Sequence, residues 1–443
     1  MAGDWSRFRG PDGSGVDTAK GYPTEFGGGK NIVWRSEVRP GKSSPVLTAK
    51  HVFLTGSDGT KLYTQCFDRK TGKLLWERAV DRSRDEIANK LNHPAAISPV
   101  TDGENVYVFF KDYGVLSYDG AGKLRWKTPL GPFVTSMGLG SSPIVAGNHI
   151  VIVADQLEGS FIAAFDKRNG EIRWKTPRDE AESWATPLLW ERKGAAPTIV
   201  TTGRGLIGGH DLATGKRLWT QEGLSLAIVA SPAVSGDTIF TFGYGSESTS
   251  PFSSRLEKLD KNKDGKLTQD EYGTDPFLHG IAKFNGNRDM VVTEDEWVEK
   301  QKAVVGPSRL AAIDLKGGKP RELWRYEKNF VGVIPSPLVY DGVVYVVRNG
   351  GILTTFDAAT GDVLKAARLE GALSGYSASP VAADGKVFLP SEEGKVAVVK
   401  AGGKWETLAV NDLGEGCFAT PALAEGHIYL RTEAALYRIG SAR

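Results

Sequence analysis

The stretch Ser336-Pro-Leu-Val-Tyr340-Asp-Gly342-Val-Val-Tyr-Val-Val347, with Phe356-Asp357-Ala-Ala-Thr-Gly361 after it, sets out one unit of a repeat. A Ser-Pro pair opens it, a short strand follows, Asp341-Gly342 supplies a turn, and Val343 to Val347 reads as a β-rich strand. A third strand ends at Asp357, whose carboxylate can cap its own turn, while Gly361 supplies the positive φ that the hairpin needs. The opening pair recurs at Ser44-Pro45, Ser98-Pro99, Ser142-Pro143, Thr186-Pro187, Ser231-Pro232, Ser379-Pro380 and Thr420-Pro421, making eight copies in all. The steps between them are 54, 44, 44, 45, 105, 43 and 41 residues. Such a period is the length of a four-stranded propeller blade.

The rest of the unit repeats as well. The Asp-to-Gly turn returns at Asp68 to Gly72, Asp166 to Gly170 and Asp211 to Gly215. Fourth strands carry Trp76, Trp126, Trp174, Trp219, Trp324 and Trp405, flat apolar plates suited to wedging one blade against the next. Blade six departs from this, with Lys365 at the tryptophan position. The last copy, from Thr420 to about Gly440, has only three strands, and residues 31–38, with Trp34, read as an orphan fourth strand. Pairing the two would close the ring and hide the free edges. The expected fold is all-β: an eight-bladed β-propeller over residues 31–244 and 307–443, closed by an N-terminal outer strand, after an N-terminal extension of residues 1–30.

The long step marks an insertion in blade five, residues 245–306. Inside it, Asp260, Asn262, Asp264, Gly265, Lys266, Leu267, Thr268 and Glu271 fall at the diagnostic places of a twelve-residue EF-hand loop. Calcium takes six to eight hard oxygen ligands, and this spacing wraps side-chain oxygens and the Lys266 carbonyl around one ion. A second, weaker loop comprises Asn285, Asn287, Asp289, Val291, Thr293 and Glu296, with Val292 at its central apolar place. There Asn285 replaces the first aspartate and Met290 the glycine, so one charge and the residue that eases the sharp turn are both missing. The starts lie too close for two full helix pairs. A compact, stabilising calcium module is expected.

The aspartate, Thr-Gly and tryptophan pattern resembles the tryptophan-docking repeat of pyrroloquinoline-quinone-type (PQQ-like) propellers. That group includes eight-bladed quinoprotein alcohol dehydrogenases and the BamB-type outer-membrane assembly lipoproteins. The opening Trp5-Ser-Arg-Phe8-Arg9-Gly10-Pro11 is similar to the start of secreted PQQ-like proteins. The resemblance implies a periplasmic or extracellular protein. The chain opens without a basic and apolar leader, so the signal peptide is expected to have been removed. It also implies a ligand face where the links between blades meet each blade's second-to-third-strand loop. On that face the candidates are His93, Met137, Trp184 and Tyr376 from the links. Lys111, Asp112, Tyr113, Asp155, Gln156, Arg204, Arg348, Asn349, Glu392 and Arg431 come from the loops. Convergent Arg, Lys, Asp, Trp and Tyr suit a polar or anionic ligand.

Composition narrows the function. Fifty-five basic residues against 53 acidic give a net charge of +2, without the basic surface that a nucleic-acid scaffold needs. No apolar run reaches membrane-spanning length. Cys66 and Cys417 form no CxxC pair; they either bridge, if the fold brings them together, or stand as buried thiols. Three functions follow, in order of preference. The first is a non-catalytic, monomeric binding or scaffold propeller whose partner is a cell-envelope protein or a polar or anionic glycan or peptide. The second is a polysaccharide lyase or hydrolase at the propeller mouth, with His93 or Tyr376 as base and Arg348 or Arg204 neutralising a uronate. The third is a PQQ-dependent dehydrogenase, disfavoured because no vicinal cysteine pair occurs. Calcium is the expected cofactor and PQQ is not.

Overall fold

The computed structural model of the protein describes residues 4–82, 84, 92–135, 137–192, 194–225, 228–245, 250–273, 275–284, 287, 289–302, 306–327 and 334–441. Eight antiparallel four-stranded sheets form the blades of a propeller. In blade one the strands are Val46–Leu47, His51–Ser57, Lys61–Asp68 and Leu74–Asp81, running from the channel outward. The two middle strands are buried almost throughout, because neighbouring blades cover both faces, whereas the outer strand is largely exposed. Their apolar runs and the polar outer strand follow from that sandwiching.

Ile32–Glu37 is the outer strand of blade eight and pairs antiparallel with Ala435–Ile439, joining Ile32 to Ile439 and Glu37 to Ala435. The ring is therefore closed by the start of the chain, as the repeat count requires. Blade five is built from Ala233–Ser235, Thr238–Gly243, Arg309–Asp314 and Arg321–Glu327, so its extra residues leave between the second and third strands.

Five tryptophans dock as their repetition predicts, whereas Trp405 is buried with its indole N–H unpartnered among the described residues. Trp34, Trp76, Trp126, Trp174 and Trp324 each donate the indole N–H to a carbonyl of the next blade: Arg69, Gly120, Lys167, Leu212 and Ala358. Each acceptor directly follows the turn aspartate. A bulge opposite each of the blade-internal rings, such as that between Cys66 and Phe67 beside Trp76, re-aims the side chain toward the neighbouring blade. The turn glycine lies beneath the ring, and a Cβ added at Gly122 would meet Trp76 at 2.6 Å. Lys365 substitutes chemically in blade six: its ammonium donates to the Trp405 carbonyl at 2.6 Å and sits 4.1 Å from that ring's centroid.

The Ser/Thr-Pro motif has a second role. Ser44 N–H donates to the Ser98 hydroxyl, Ser98 to Ser142, Ser142 to Thr186, Thr186 to Ser231, Ser231 to Ser336, Ser336 to Ser379, Ser379 to Thr420, and Thr420 back to Ser44. These eight bonds, 2.9 to 3.1 Å long, form a closed hoop around the channel. The proline behind each hydroxyl fixes φ and enters the inner strand where no N–H is needed. Ser336→Ala leaves the Ser231 N–H buried without an acceptor and should cost about 1–3 kcal/mol, whereas Ser336→Thr should cost far less. Urea unfolding of both variants measures this; equal losses would deny the hoop its role.

The N-terminal extension is folded onto the propeller as a plug. Leu47 N–H donates to the Trp5 carbonyl and Thr101 N–H to that of Ser6, and Val16 bridges to Ala382. Trp5, Arg7 and Arg9 are buried. Cys66 and Cys417 are free, buried thiols in different core clusters, which resolves the cysteine question.

Candidate functional site

Side chains alternate along an extended segment, so the residue two before each hoop hydroxyl faces the same way. Those residues are Lys42, Ala96, Gly140, Trp184, Val229, Ile334, Ser377 and Phe418, and they form a second ring above the hoop. The two rings enclose a cavity of about 470 Å³, with Phe8 of the N-terminal plug also in its lining. Asn92, Met137, Tyr244, Asn349 and Glu392 add to the upper walls. The volume lies in the range of small-molecule sites. The upper ring is uneven: Lys42 stands 3.8 Å over the Phe418 ring, and Ser377 donates its hydroxyl to Glu392.

Of the candidates read from sequence, Trp184, Met137, Asn349 and Glu392 line this cavity, and the Trp184 indole N–H donates to the Gly138 carbonyl. The others do not, and the structure gives several of them another task. Arg431 is buried and donates to the carbonyls of Arg39, Ser43 and Thr55 and to the Ser43 hydroxyl. It clamps the first blade to the last. Asp155 is held by both arms of Arg178, at 2.6 and 3.0 Å, and burial pushes its carboxyl up against the pull of that guanidinium. Lys111 is buried against Asp112 at 3.2 Å, with Arg82 on the same carboxylate. Tyr376 is fully buried and donates to the Ala372 carbonyl. Arg204 is half-buried, and Arg348 lies at the end of Val343–Arg348, outside the lining. His93 accepts the Ala95 N–H through Nδ1, and burial, with Arg431, Lys42, Arg82 and Lys111 around it, lowers its pKa to about 4. Of the four residues named for a lyase, His93, Tyr376, Arg204 and Arg348, none is in the cavity lining. Sequence reasoning missed Phe8, Val229, Ile334, Phe418 and Lys42, although their fixed offset from the motif was a usable signal.

A buried histidine sits in the ion-pair network between blades three and four. His210 Nδ1 lies 3.2 Å from the Gly215 carbonyl and Nε2 lies 3.4 Å from Arg178 Nη1, an arrangement that suits the neutral ring with its proton on Nδ1. Burial, then Arg178, lowers its pKa to about 4. With a folded pKa below the unfolded value, its contribution to stability is present above about pH 6.5 and is lost as pH falls through about 4. Urea unfolding at pH 7 and pH 4.5 should show this loss. His210→Gln should flatten the difference, and an unchanged slope would reject the assignment.

The insertion contains helices Ser253–Leu259, Gln269–Tyr272, Pro276–Phe284 and Glu294–Lys302, with Leu267–Thr268 paired to Val291–Val292. The two loops on this small sheet are built alike. Glu271 accepts from the Thr268 N–H and hydroxyl and from the Lys261 and Asn262 N–H groups; Glu296 accepts from the Thr293 N–H and hydroxyl and from Asn287 N–H. Asn262 bonds Asp264 as Asn287 bonds Asp289. Asp260 accepts the N–H groups of Asp264 and Gly265, and Gly265 takes φ +79° at the sharp turn. Met290 holds the corresponding left-handed conformation at φ +66°, which costs a non-glycine residue energy. Asn285 lies outside the described residues. Among the described residues, no three His, Cys, Asp or Glu side chains gather as a ready cage for an ion. Tyr244, the last residue before the insertion, lines the cavity, and Lys300 is desolvated near Glu182 and Arg204 of the mouth loops.

The family model for outer membrane protein assembly factor BamB (PQQ_2) matches residues 28–181, 65–247 and 203–432. The chain belongs to this family. A BamB of Bordetella pertussis is 25% identical over 244 residues, a match covering 50% of this chain and 55% of that protein, so only about half of the curated relative is spanned. BamB from Moraxella catarrhalis superposes with a TM-score of 0.61 at 12% identity, over 92% of this chain and 99% of that one. The computationally designed Ika8 protein gives 0.60 at 14% identity, over 93% and 100%. These structures establish the BamB-type propeller fold. No described helix is long and apolar enough to cross a membrane.

Proposed function

We propose that this BamB-family propeller is a non-catalytic binding protein of the periplasm or cell exterior, which receives a polar ligand or a segment of an envelope partner at the channel mouth. The cavity at the centre of the eight blades supports this most directly: hydroxyls, apolar side chains, Asn92, Asn349, Lys42 and Glu392 line it, a mixed surface suited to a polar ligand with an apolar part. The curated relative is named an outer membrane protein assembly factor, which fits a scaffold role. Isothermal titration of acidic oligosaccharides, acidic peptides and PQQ against wild type and Trp184→Ala tests it. The expected result is binding of a glycan or peptide that weakens about tenfold in the variant, as for an aromatic anchor worth more than about 1 kcal/mol. A tight stoichiometric PQQ complex with dye-linked alcohol oxidation would overturn it.

In the same reading the insertion holds calcium. The donor set fits a hard cation: the side chains of Asp260, Asn262 and Asp264, the Lys266 carbonyl, Thr268 through water, and Glu271. The Thr268–Glu271 pair also forms a capping box on its short helix, so the Glu271 carboxylate would leave backbone N–H groups to take an ion. The second loop, with strained Met290, binds more weakly or not at all. The metal's part is to brace the module beside the mouth.

A further inference from the structure

The hoop hydroxyls do more than accept the preceding N–H. Among the described residues, none of the eight has a hydrogen bond donating its own proton to a protein acceptor. All are at most 6% exposed and all line the cavity. A hydroxyl in this state can donate to a ligand or accept from one, so the hoop alone does not choose the ligand's charge.

The plug makes that choice. Arg7 and Arg9 flank Phe8; Arg7 Nη1 donates to the Pro187 carbonyl at 3.1 Å and Arg9 Nη2 to the Pro337 carbonyl at 2.6 Å. Those prolines directly follow Thr186 and Ser336, the two ends of the arc Thr186, Ser231 and Ser336 of blades four, five and six, so both guanidiniums lie behind that arc, outside the cavity lining itself. Arg9 Nε and Nη1 are buried without a hydrogen-bond partner. The acid opposing both cations is the exposed Asp12, and burial still lowers Arg7 to about 10 and Arg9 to about 9. Buried positive charge without a buried counter-charge is costly, and an anion relieves that cost. Above the same arc the wall is Trp184, Val229 and Ile334, while Lys42, Ser377 and Glu392 stand on the other blades.

We infer that the deep end of the cavity is a site for a single-headed amphipathic anion, with a carboxylate or phosphate on the hydroxyls of Thr186, Ser231 and Ser336 and an apolar body against Trp184, Val229 and Ile334. This rests on the reading that the mouth takes a ligand, and it adds the ligand's class and orientation. Charge-assisted hydrogen bonds are about twice as strong as neutral ones, so head-group charge is the variable to test.

The experiment titrates the full chain with 4-phenylbutyrate, phenyl phosphate and the neutral 4-phenylbutyramide. Both anions should bind at least about tenfold tighter than the amide, the gap expected of a charge-assisted contact. Val229→Trp, which fills the wall without touching the hoop, should remove binding of all three. Arg9→Gln should narrow the acid–amide gap; if that variant fails to fold, the ligand series and Val229→Trp still decide. Equal binding of acid and amide, both lost in Val229→Trp, would overturn the anion site and leave the mouth reading standing. Acid binding unchanged in Val229→Trp, or no acid binding at millimolar concentration, would overturn it too, while Trp184-dependent binding of glycans or peptides is judged separately.

Discussion

Arg431→Ala should destabilise the propeller by about 3–5 kcal/mol, because several buried acceptors lose their donor at once and each costs about 1–3 kcal/mol when left unpaired. The guanidinium reaches from the second strand of blade eight to Arg39, Ser43 and Thr55 at the start of blade one. Burial lowers its pKa to about 9, so the charged form is held against a desolvation cost by these carbonyls. Arg431→Lys should recover only part of the loss, since one ammonium cannot reproduce a planar fork with bonds from both Nη atoms. Urea unfolding supplies the numbers. A near-neutral Arg431→Ala would mean that the clamp carries no closure energy, and would return the residue to the list of ligand contacts.

Glu271→Gln should remove most of the calcium affinity of the insertion while the propeller stays folded. The substitution keeps the size of the side chain but deletes a charge and the bidentate grip that closes an EF-hand loop. Binding to the native state alone stabilises it by about 2.7 kcal/mol at a hundredfold excess over Kd, so a chelator should lower the unfolding temperature of the insertion. The blades should feel little of this, because Phe252, Leu267, Leu278, Ile281, Val292 and Trp297 form a separate core cluster. Isothermal titration on metal-stripped protein decides: equal affinity in wild type and Glu271→Gln would sink the calcium assignment.

The repeat was readable because its residues serve backbone needs that recur from blade to blade. A hydroxyl before proline makes the hoop bond, an aspartate caps its turn, and a tryptophan meets the glycine of the next blade. Lys365 shows the limit of that reading, since nothing in blade six alone says that its ammonium will lie over Trp405 of blade seven. The mouth was read less well for the same reason. Arg431, Asp155 and Lys111 stand where polar residues usually meet water, yet their partners come from a neighbouring blade or another turn of the same one, and Arg431 bonds residues 376 to 392 positions away. The cavity walls were half visible, through their offset of two from the motif. The plug was not, because Trp5 to Val16 finds its contacts on blades one, two, four, six and seven.

That plug and the closing strand set an order of events during synthesis. Residues 5–16 rest on blades up to the seventh, and Ile32–Glu37 waits for Ala435–Ile439. These residues, which precede every blade in the chain, are therefore the last to find their place. At synthesis rates of about 5–20 residues per second, roughly 20–80 s pass between the closing strand and its partner, Ala435–Ile439. Throughout that interval Trp5, Phe8 and Trp34 are exposed on an unpaired segment, a target for a holdase, and the nascent chain cannot close on itself until its final blade is released.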